Sequence, residues 1–225
     1  MRKYLVIGNP IEHSLSPLLH NFWIKNYNIN AFYEKQLLEK KDIEKILSDM
    51  RESKIHGINV TVPFKNMVIP FLDQLSDTAQ ETQSVNTIFK RQNKLIGDNT
   101  DVYGFSEAVK LTNFNPVNKS ALILGAGGVV PSVLLALKNM GVDQITLSNR
   151  TKEKAINLKK NFPFLNVIDW GETIKSDLII NATSIGIKQN DEIKLDNSLP
   201  TLVYNYYNID PNWRKNEKQK RILKE

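Results

Sequence analysis

Short apolar runs alternate with amphipathic stretches along most of this chain, which is the pattern of strands separated by helices. Tyr4–Gly8 reads as a short buried strand, and Pro17–Tyr27 has helical spacing with Leu18, Leu19, Phe22 and Trp23 toward one side. Ala31–Leu37 reads as a strand, Lys40–Glu52 as a helix and Gly57–Val62 as a strand ended by Pro63. Phe64–Leu72 is expected to be helical, with Pro70 disturbing its end. Val85–Lys90 and Lys94–Asp98 read as a hairpin around Gln92-Asn93.

Beyond Asp101 the rhythm becomes more regular. Asp101–Lys110 reads as a helix, followed by the polar, turn-rich stretch Thr112–Lys119. Strands are expected at Ala121–Leu124, Gln144–Leu147, Asn166–Asp169, Asp177–Asn181 and Leu202–Asn205, with helices at Gly128–Met140 and Lys152–Asn161. A run of βαβ units of this kind has the look of a doubly wound, Rossmann-like dinucleotide domain. The expected class is therefore α/β with two domains, residues 1–100 and 101–210, and a basic tail at 211–225.

Composition narrows this picture. With 225 residues and 41% hydrophobic content, the chain can bury a core for one large domain or two small ones. It has no cysteine, which removes disulfide frameworks and thiolate chemistry and suits a reducing cytoplasm. The apolar run after Met1-Arg2-Lys3 is too short for a signal peptide. Ala121–Leu137 is nearly all apolar or small, but it is short for a bilayer crossing and contains Gly125, Gly127, Gly128 and Pro131. Of the net charge of +6, +4 lies in Arg214–Glu225, so no nucleic-acid or membrane partner is expected.

Candidate chemistry sits in the turns. Leu122-Ile123-Leu124 runs into Gly125-Ala126-Gly127-Gly128 and then an apolar helix. A strand that delivers a glycine turn to a helix N-terminus brings backbone N–H groups and the positive end of the helix dipole to a pyrophosphate. A tight turn alone would also use glycine; the βαβ context favours a nucleotide. Val130 stands where the usual fingerprint has its third glycine. The second strand ends in Ser148-Asn149-Arg150-Thr151, with Lys154 one helical turn on and no acid to bind a ribose 2′-hydroxyl. A guanidinium, a hydroxyl and an ammonium suit the 2′-phosphate of NADP.

In the first half, Ser14 and Ser16 precede a helix, where one hydroxyl would suffice as a cap. Asn59-Val60-Thr61-Val62-Pro63-Phe64-Lys65 places a hydroxyl and a lysine at the carboxyl end of a strand, where open α/β sheets bind ligands. Ser84–Thr87 and Asp98–Gly104 add short polar side chains beside apolar strands, and Asp101 is well placed to be an N-cap. Four such segments together exceed what capping needs.

Gly8-Asn9-Pro10 through Asn21, Asn59–Lys65, Val85-Asn86-Thr87, Asp98–Gly104, Gly125–Gly128, Asn149-Arg150-Thr151 and Asn181–Gly186 resemble the shikimate dehydrogenase family in order and spacing, over about Met1 to Tyr204. The resemblance implies an N-terminal substrate domain and an NADP-binding domain. It also implies NADPH-dependent reduction of 3-dehydroshikimate to shikimate, a step of aromatic amino-acid and chorismate biosynthesis, without a metal. By the same resemblance Ser14, Ser16 and Thr61 would bind the substrate carboxylate, and Asn86 and Asp101 ring hydroxyls. Lys65 would be the catalytic acid–base group with Asp101 orienting it. Gly125, Ala126, Gly127 and Gly128 would hold the pyrophosphate. Asn149, Arg150, Thr151 and Lys154 would hold the 2′-phosphate, with Thr183 and Ser184 near the cofactor.

The sequence departs from the family at several places. Lys154 and Ile187 stand where arginine and methionine are usual, and Gln83 and Ser84 replace small residues. After Asp210-Pro211 a charged tail stands in place of a glycine-rich loop and a glutamine-bearing helix. The register of Tyr204, Tyr206 and Tyr207 against the family's late tyrosine is open. The tail offers only Trp213, Ile222 and Leu223 as apolar cover, so it is expected to be mobile and to leave Leu18, Phe22 and Trp23 exposed. The alternatives are a shortened, weakly active or inactive nucleotide-binding relative, or a quinate/shikimate dehydrogenase. The expected partner is a small molecule and the expected state a monomer or homodimer.

Overall fold

The computed structural model of the chain describes residues 1–112, 114–172, 174–183 and 185, together with the backbone of the strand Leu202–Asn205. Two compact units divide it, one from Met1 to Asp101 and one from Val102 onward.

The first unit runs β1 (Arg2–Gly8), α1 (Ser16–Asn26), β2 (Ala31–Leu37), α2 (Ile43–Arg51), β3 (Gly57–Val60), β4 (Gln74–Leu75), α3 (Asp77–Thr82), β5 (Thr87–Arg91) and β6 (Lys94–Asp98). Its strands form one mixed sheet in the order β2-β1-β3-β5-β6-β4. Strands β2, β1 and β3 are parallel; β5 runs against both β3 and β6; β4 is parallel to β6. The β5–β6 hairpin turns at Gln92 and Asn93, both left-handed (φ 51° and 61°), which matches the twist of the flanking strands. Ile43, Ile46, Leu47 and Met50 form a stripe along α2 that packs on Leu5, Ile7, Ile58 and Ile88 of the sheet. Each such fully buried aliphatic side chain is worth about 1.5–3 kcal/mol relative to exposure.

Helix α1 is attached differently. It buries no residue, and Leu18, Phe22 and Trp23 are 74%, 59% and 44% exposed. A polar clamp holds it instead: Asn21 donates to the Tyr33 carbonyl (2.8 Å) and accepts from the Tyr33 N–H (3.0 Å) on the edge strand β2.

Three expected elements differ in the structure. The stretch expected as a helix at Lys40–Glu52 opens with a 3-10 turn, Lys40–Asp42, held by a reciprocal capping box between Glu39 and Asp42. Phe64–Leu72 is not an α-helix; it is a series of turns closed by a 3-10 turn, Ile69–Phe71. The Lys65 carbonyl, which would bond the N–H of Ile69 in a helix, instead accepts from Val85 N–H at 2.7 Å, and Ile69 N–H reaches back to Asn66 at 3.4 Å. Pro70 supplies no N–H to continue the ladder. The strand from Gly57 stops at Val60, whose N–H donates to Asn86 at the start of the neighbouring hairpin.

The second unit contains α4 (Asp101–Lys110, which starts at the join), β7 (Ser120–Leu124), α5 (Val130–Asn139), β8 (Gln144–Ser148), α6 (Lys152–Asn161), β9 (Asn166–Ile168), β10 (Leu178–Asn181) and β11 (Leu202–Asn205). Its sheet is wholly parallel, in the order β11-β10-β7-β8-β9. The apolar strand β7 is central because both of its faces are covered: Ala121 and Ile123 pack with α5, Leu122 and Leu124 with Ile179. The chain winds outward through β8 and β9, then returns to β10 on the other side of β7. The order therefore reverses at β7, and ligands of such sheets bind at the carboxyl ends beside that reversal. Among the described residues no helix is long and apolar enough to cross a membrane.

Candidate functional site

The register of the first sheet gathers the polar segments at one end. Asn59 of β3 pairs with Thr87 of β5, and Thr87 with Asp98 of β6. Because β5 is antiparallel to its neighbours, the residues following β3, preceding β5 and following β6 all emerge together. These are Thr61 with Lys65, Asn86, and Asn99 through Asp101. The loop after β1 joins them: Asn9 N–H donates to Val62 O at 2.9 Å, and Thr61 N–H to Ile7 O at 2.9 Å. Gly8 is required here, since a Cβ would lie 2.6 Å from the Thr61 methyl.

Lys65 and Asp101, 36 residues apart in sequence, meet at 2.6 Å between Nζ and Oδ2. Their side chains are only 13% and 16% exposed, whereas a pair such as Lys41–Glu39 is 75% and 64% exposed. Exposed pairs contribute about 0–1 kcal/mol, while removing one member of a desolvated pair costs about 3–5 kcal/mol. Asp101 is the first residue of α4, yet its carboxylate turns to Lys65. Asn86 accepts from the Thr100 N–H (3.0 Å) and the Thr87 hydroxyl (3.0 Å) and donates to the Thr100 hydroxyl (2.9 Å).

Ser14 and Ser16 are both half-buried, and neither is the N-cap of α1; that position is Leu15, without a side-chain cap. Ser14 Oγ accepts weakly from Ser16 N–H at 3.4 Å. Beneath them lies a layer that the sequence motifs did not single out. Tyr33 donates to Asn59 Oδ1 (2.7 Å), and Asn59 donates on to the Thr87 hydroxyl (3.1 Å). The His20 ring stacks on Tyr33, centroids 4.2 Å apart. Burial raises the Tyr33 phenol's pKa, opposed by the Ser16 hydroxyl beside it, and burial lowers that of His20. Both rings thus favour their neutral forms. Tyr33 and Ala31 share the buried face of β2, which the unbroken apolar run Ala31-Phe32-Tyr33 does not reveal.

In the second unit, Gly125 ends β7 with φ +102°, and a Cβ there would meet Ala182 O at 2.9 Å. Gly127 and Gly128 are exposed, and nothing lies within 4 Å of where a Gly128 Cβ would project. Helix α5 follows with no side-chain cap and no acid in its first turn. An open glycine turn ahead of an uncapped, acid-free helix start fits a pyrophosphate. Asn149 accepts from Ala126 N–H (3.0 Å) and donates to Thr151 O (2.7 Å), which joins the glycine turn to the end of β8. Arg150, Thr151 and Lys154 are exposed, and neither Arg150 nor Lys154 has an ion pair among the described residues, whereas Lys152 is paired with Asp169. This basic set fits a phosphate monoester. Thr183 donates to Asn181 (2.7 Å) and accepts from Ile185 N–H (3.1 Å), beside Gly125. Ser184, Ile187 and the tail lie outside the described residues.

Comparison with known proteins agrees with both units. Residues 6–88 match the family described as shikimate dehydrogenase substrate binding domain, and residues 108–189 match shikimate / quinate 5-dehydrogenase. A shikimate dehydrogenase (NADP(+)) from Pelagibacter ubique is 60% identical over 195 residues, 87% of this chain and 74% of the relative. The crystal structure of shikimate dehydrogenase from Aquifex aeolicus superposes with a TM-score of 0.78 at 39% identity, covering 86% of this chain and 73% of that one. A shikimate 5-dehydrogenase from Thermus thermophilus, solved in complex with NADP(H) and shikimate, gives 0.75 at 33% identity over 83% of this chain and 70% of that one. With a mixed-sheet unit and a doubly wound unit each matching its own half of the same enzymes, this chain belongs to the shikimate dehydrogenase family.

Proposed function

We propose that this chain reduces 3-dehydroshikimate to shikimate with NADPH, in the pathway to chorismate and the aromatic amino acids. The observation that carries the reading is the Lys65–Asp101 pair at 2.6 Å, largely withdrawn from solvent at the ligand-binding end of the first sheet. A binding module has no need of an acid–base pair there. When bound, the nicotinamide supplies the hydride. Lys65 gives a proton to the oxygen of the ketone as negative charge develops on it, and takes it back in the reverse direction. Asp101 holds the ammonium in place and accepts from a ring hydroxyl, with Asn86 beside it. Ser14, Ser16 and Thr61 take the carboxylate.

For the cofactor, Gly125–Gly128 and the start of α5 take the pyrophosphate, with Thr183 and Ser184 alongside. Arg150, Thr151 and Lys154 take the 2′-phosphate, and Asn149 serves from behind by joining the two loops. We assign the chain to the cytoplasm, as a monomer or homodimer acting on a small molecule without nucleic-acid or membrane partners. Its lack of cysteine fits the cytoplasm, and its modest charge outside the tail fits the absence of a nucleic-acid partner.

The test is spectrophotometric. NADPH oxidation should depend on 3-dehydroshikimate and run in reverse with shikimate and NADP+. A rate with quinate that exceeds the rate with shikimate would reassign the substrate. Arg150→Ala should raise the KM for NADPH by about 10–100-fold, the worth of a charge-assisted hydrogen bond, while kcat changes little and the KM for NADH stays put. Equal affinity of the parent protein for both cofactors would remove Arg150 from that role.

A further inference from the structure

Asn99 is 4% exposed, lies outside the contacts assigned above, and connects both halves of the acid–base pair. Its Oδ1 accepts the N–H of Asp101 at 3.0 Å, the first N–H of α4. Its Nδ2 donates to the Ser84 carbonyl at 2.8 Å and to the Thr82 hydroxyl at 3.1 Å. Thr82 and Ser84 are themselves 2% and 3% exposed, and the Thr82 hydroxyl is anchored on the Thr78 carbonyl at 2.7 Å. The residue after Ser84 is Val85, whose N–H holds the Lys65 carbonyl at 2.7 Å. One primary amide therefore links the segment that carries the carboxylate to the segment that grips the backbone of the lysine.

We propose that Asn99 is a positioning residue for the reaction, setting the separation and aim of Lys65 and Asp101. The inference rests on the reading of those two residues as the acid–base pair. The chemistry selects an amide. The acceptor must face an N–H and the donors must face a carbonyl and a hydroxyl oxygen, and only a carboxamide offers both at this reach. An aspartate would have no hydrogen to offer Ser84, and a serine would keep the helix contact but lose the link to Ser84. By accepting the first N–H of α4, Asn99 also fixes the backbone at Asp101, from which the carboxylate projects. That carboxylate meets Lys65 Nζ at 2.6 Å.

Two measurements on the full chain test this in the parent, Asn99→Ala and Asn99→Ser, each checked for a cooperative thermal melt. In the first, brief exposure to trinitrobenzenesulfonate is followed by mass spectrometry of the peptide containing Lys65. Lys65 should react slowly in the parent and several-fold faster in Asn99→Ala, with Asn99→Ser between them, while the exposed Lys41 and Lys45 react alike in all three. In the second, kcat for shikimate oxidation should fall by about 10²-fold in Asn99→Ala, the scale expected when reacting groups are misplaced by about an ångström, with a much smaller change in KM. Asn99→Ser should recover part of the rate. If Asn99→Ala does not fold, Asn99→Ser carries both measurements alone. A folded variant with a lower melting temperature but parental Lys65 labelling and parental kcat overturns the proposal and leaves Asn99 a structural residue only. A parent that turns over no shikimate, in which Asn99 variants still release Lys65 to the reagent, supports the positioning role and overturns the function proposed for the pair.

Discussion

Replacing Lys65 with alanine is expected to lower kcat by about 10²–10⁴-fold, the usual worth of a positioned proton donor, while the KM for shikimate changes far less. The asymmetry follows from when the ammonium is needed. The ketone oxygen of the bound substrate carries little charge, and full demand for a proton arises only as the alkoxide develops. The variant also removes the ammonium that faces the 16% exposed Asp101 carboxylate at 2.6 Å, so some loss of melting temperature is expected as well. Lys65→Ala combined with Asp101→Asn removes the uncompensated negative charge and should regain melting temperature without regaining rate. Asp101→Asn alone should harm both kcat and KM, because that residue holds Lys65 and meets a substrate hydroxyl. The check is steady-state kinetics with shikimate and NADP+ beside a thermal melt of each variant. A Lys65→Ala protein with the parental kcat would remove Lys65 from the chemistry.

Gly125→Ala should damage the second unit and its cofactor site together. The backbone at Gly125 has φ +102°, where a side chain costs about 1–3 kcal/mol in conformation alone. The new Cβ would also lie 2.9 Å from the Ala182 carbonyl oxygen and 2.9 Å from the Thr183 methyl, and the first of these is backbone that cannot swing aside. Relief requires β7 and the residues after β10 to separate at the point where the glycine turn meets α5. We therefore expect a lower melting temperature and an NADPH affinity reduced by at least about tenfold, read by calorimetry and by fluorescence titration. Gly128→Ala is the control for stability: it has open space around its Cβ and should melt with the parent. If Gly125→Ala melts with the parent and binds NADPH as tightly, the turn is not the cradle described here.

What could be read from the sequence depended on whether a residue's partners were near it in the chain. The strand Leu122-Ile123-Leu124 and the helix after it declare themselves through continuous and periodic apolar positions, and the structure has both. The stretch after Pro63 looked helical by composition. Its fate was decided by Val85 N–H, twenty residues on, which takes the Lys65 carbonyl. Helix α3 was missed because a six-residue helix held by a Ser76 cap presents no apolar period to detect. The site divides in the same way. Lys65 and Asp101 stand out because charged groups in turns suggest chemistry and because the segments around them resemble a known family. Asn59 and Asn99 lie within the same segments, and Tyr33 lies apart from them on β2. Their importance resides in which distant atoms their amides and hydroxyl reach, and no local spacing encodes that.

The strand order of the first sheet bears on the order of events as the chain is made. Strand β6, the last of the unit to be synthesised, is interior to the sheet, between β5 and the short edge strand β4. The segment that follows Lys65 is tied to it through Asp73 N–H to Leu95 O at 3.0 Å and Ser76 N–H to Gly97 O at 2.9 Å. Parallel strands β2, β1 and β3 can assemble early around α2, but β4, which follows the lysine loop, has no strand to pair with until β6 arrives. Asp101 follows β6 by only three residues. Pairing of β4 and arrival of the carboxylate partner of Lys65 are thus nearly one event on the growing chain, and the non-local strand pairing that completes the sheet comes late. The nascent protein acquires a sheet well before it acquires a reactive centre.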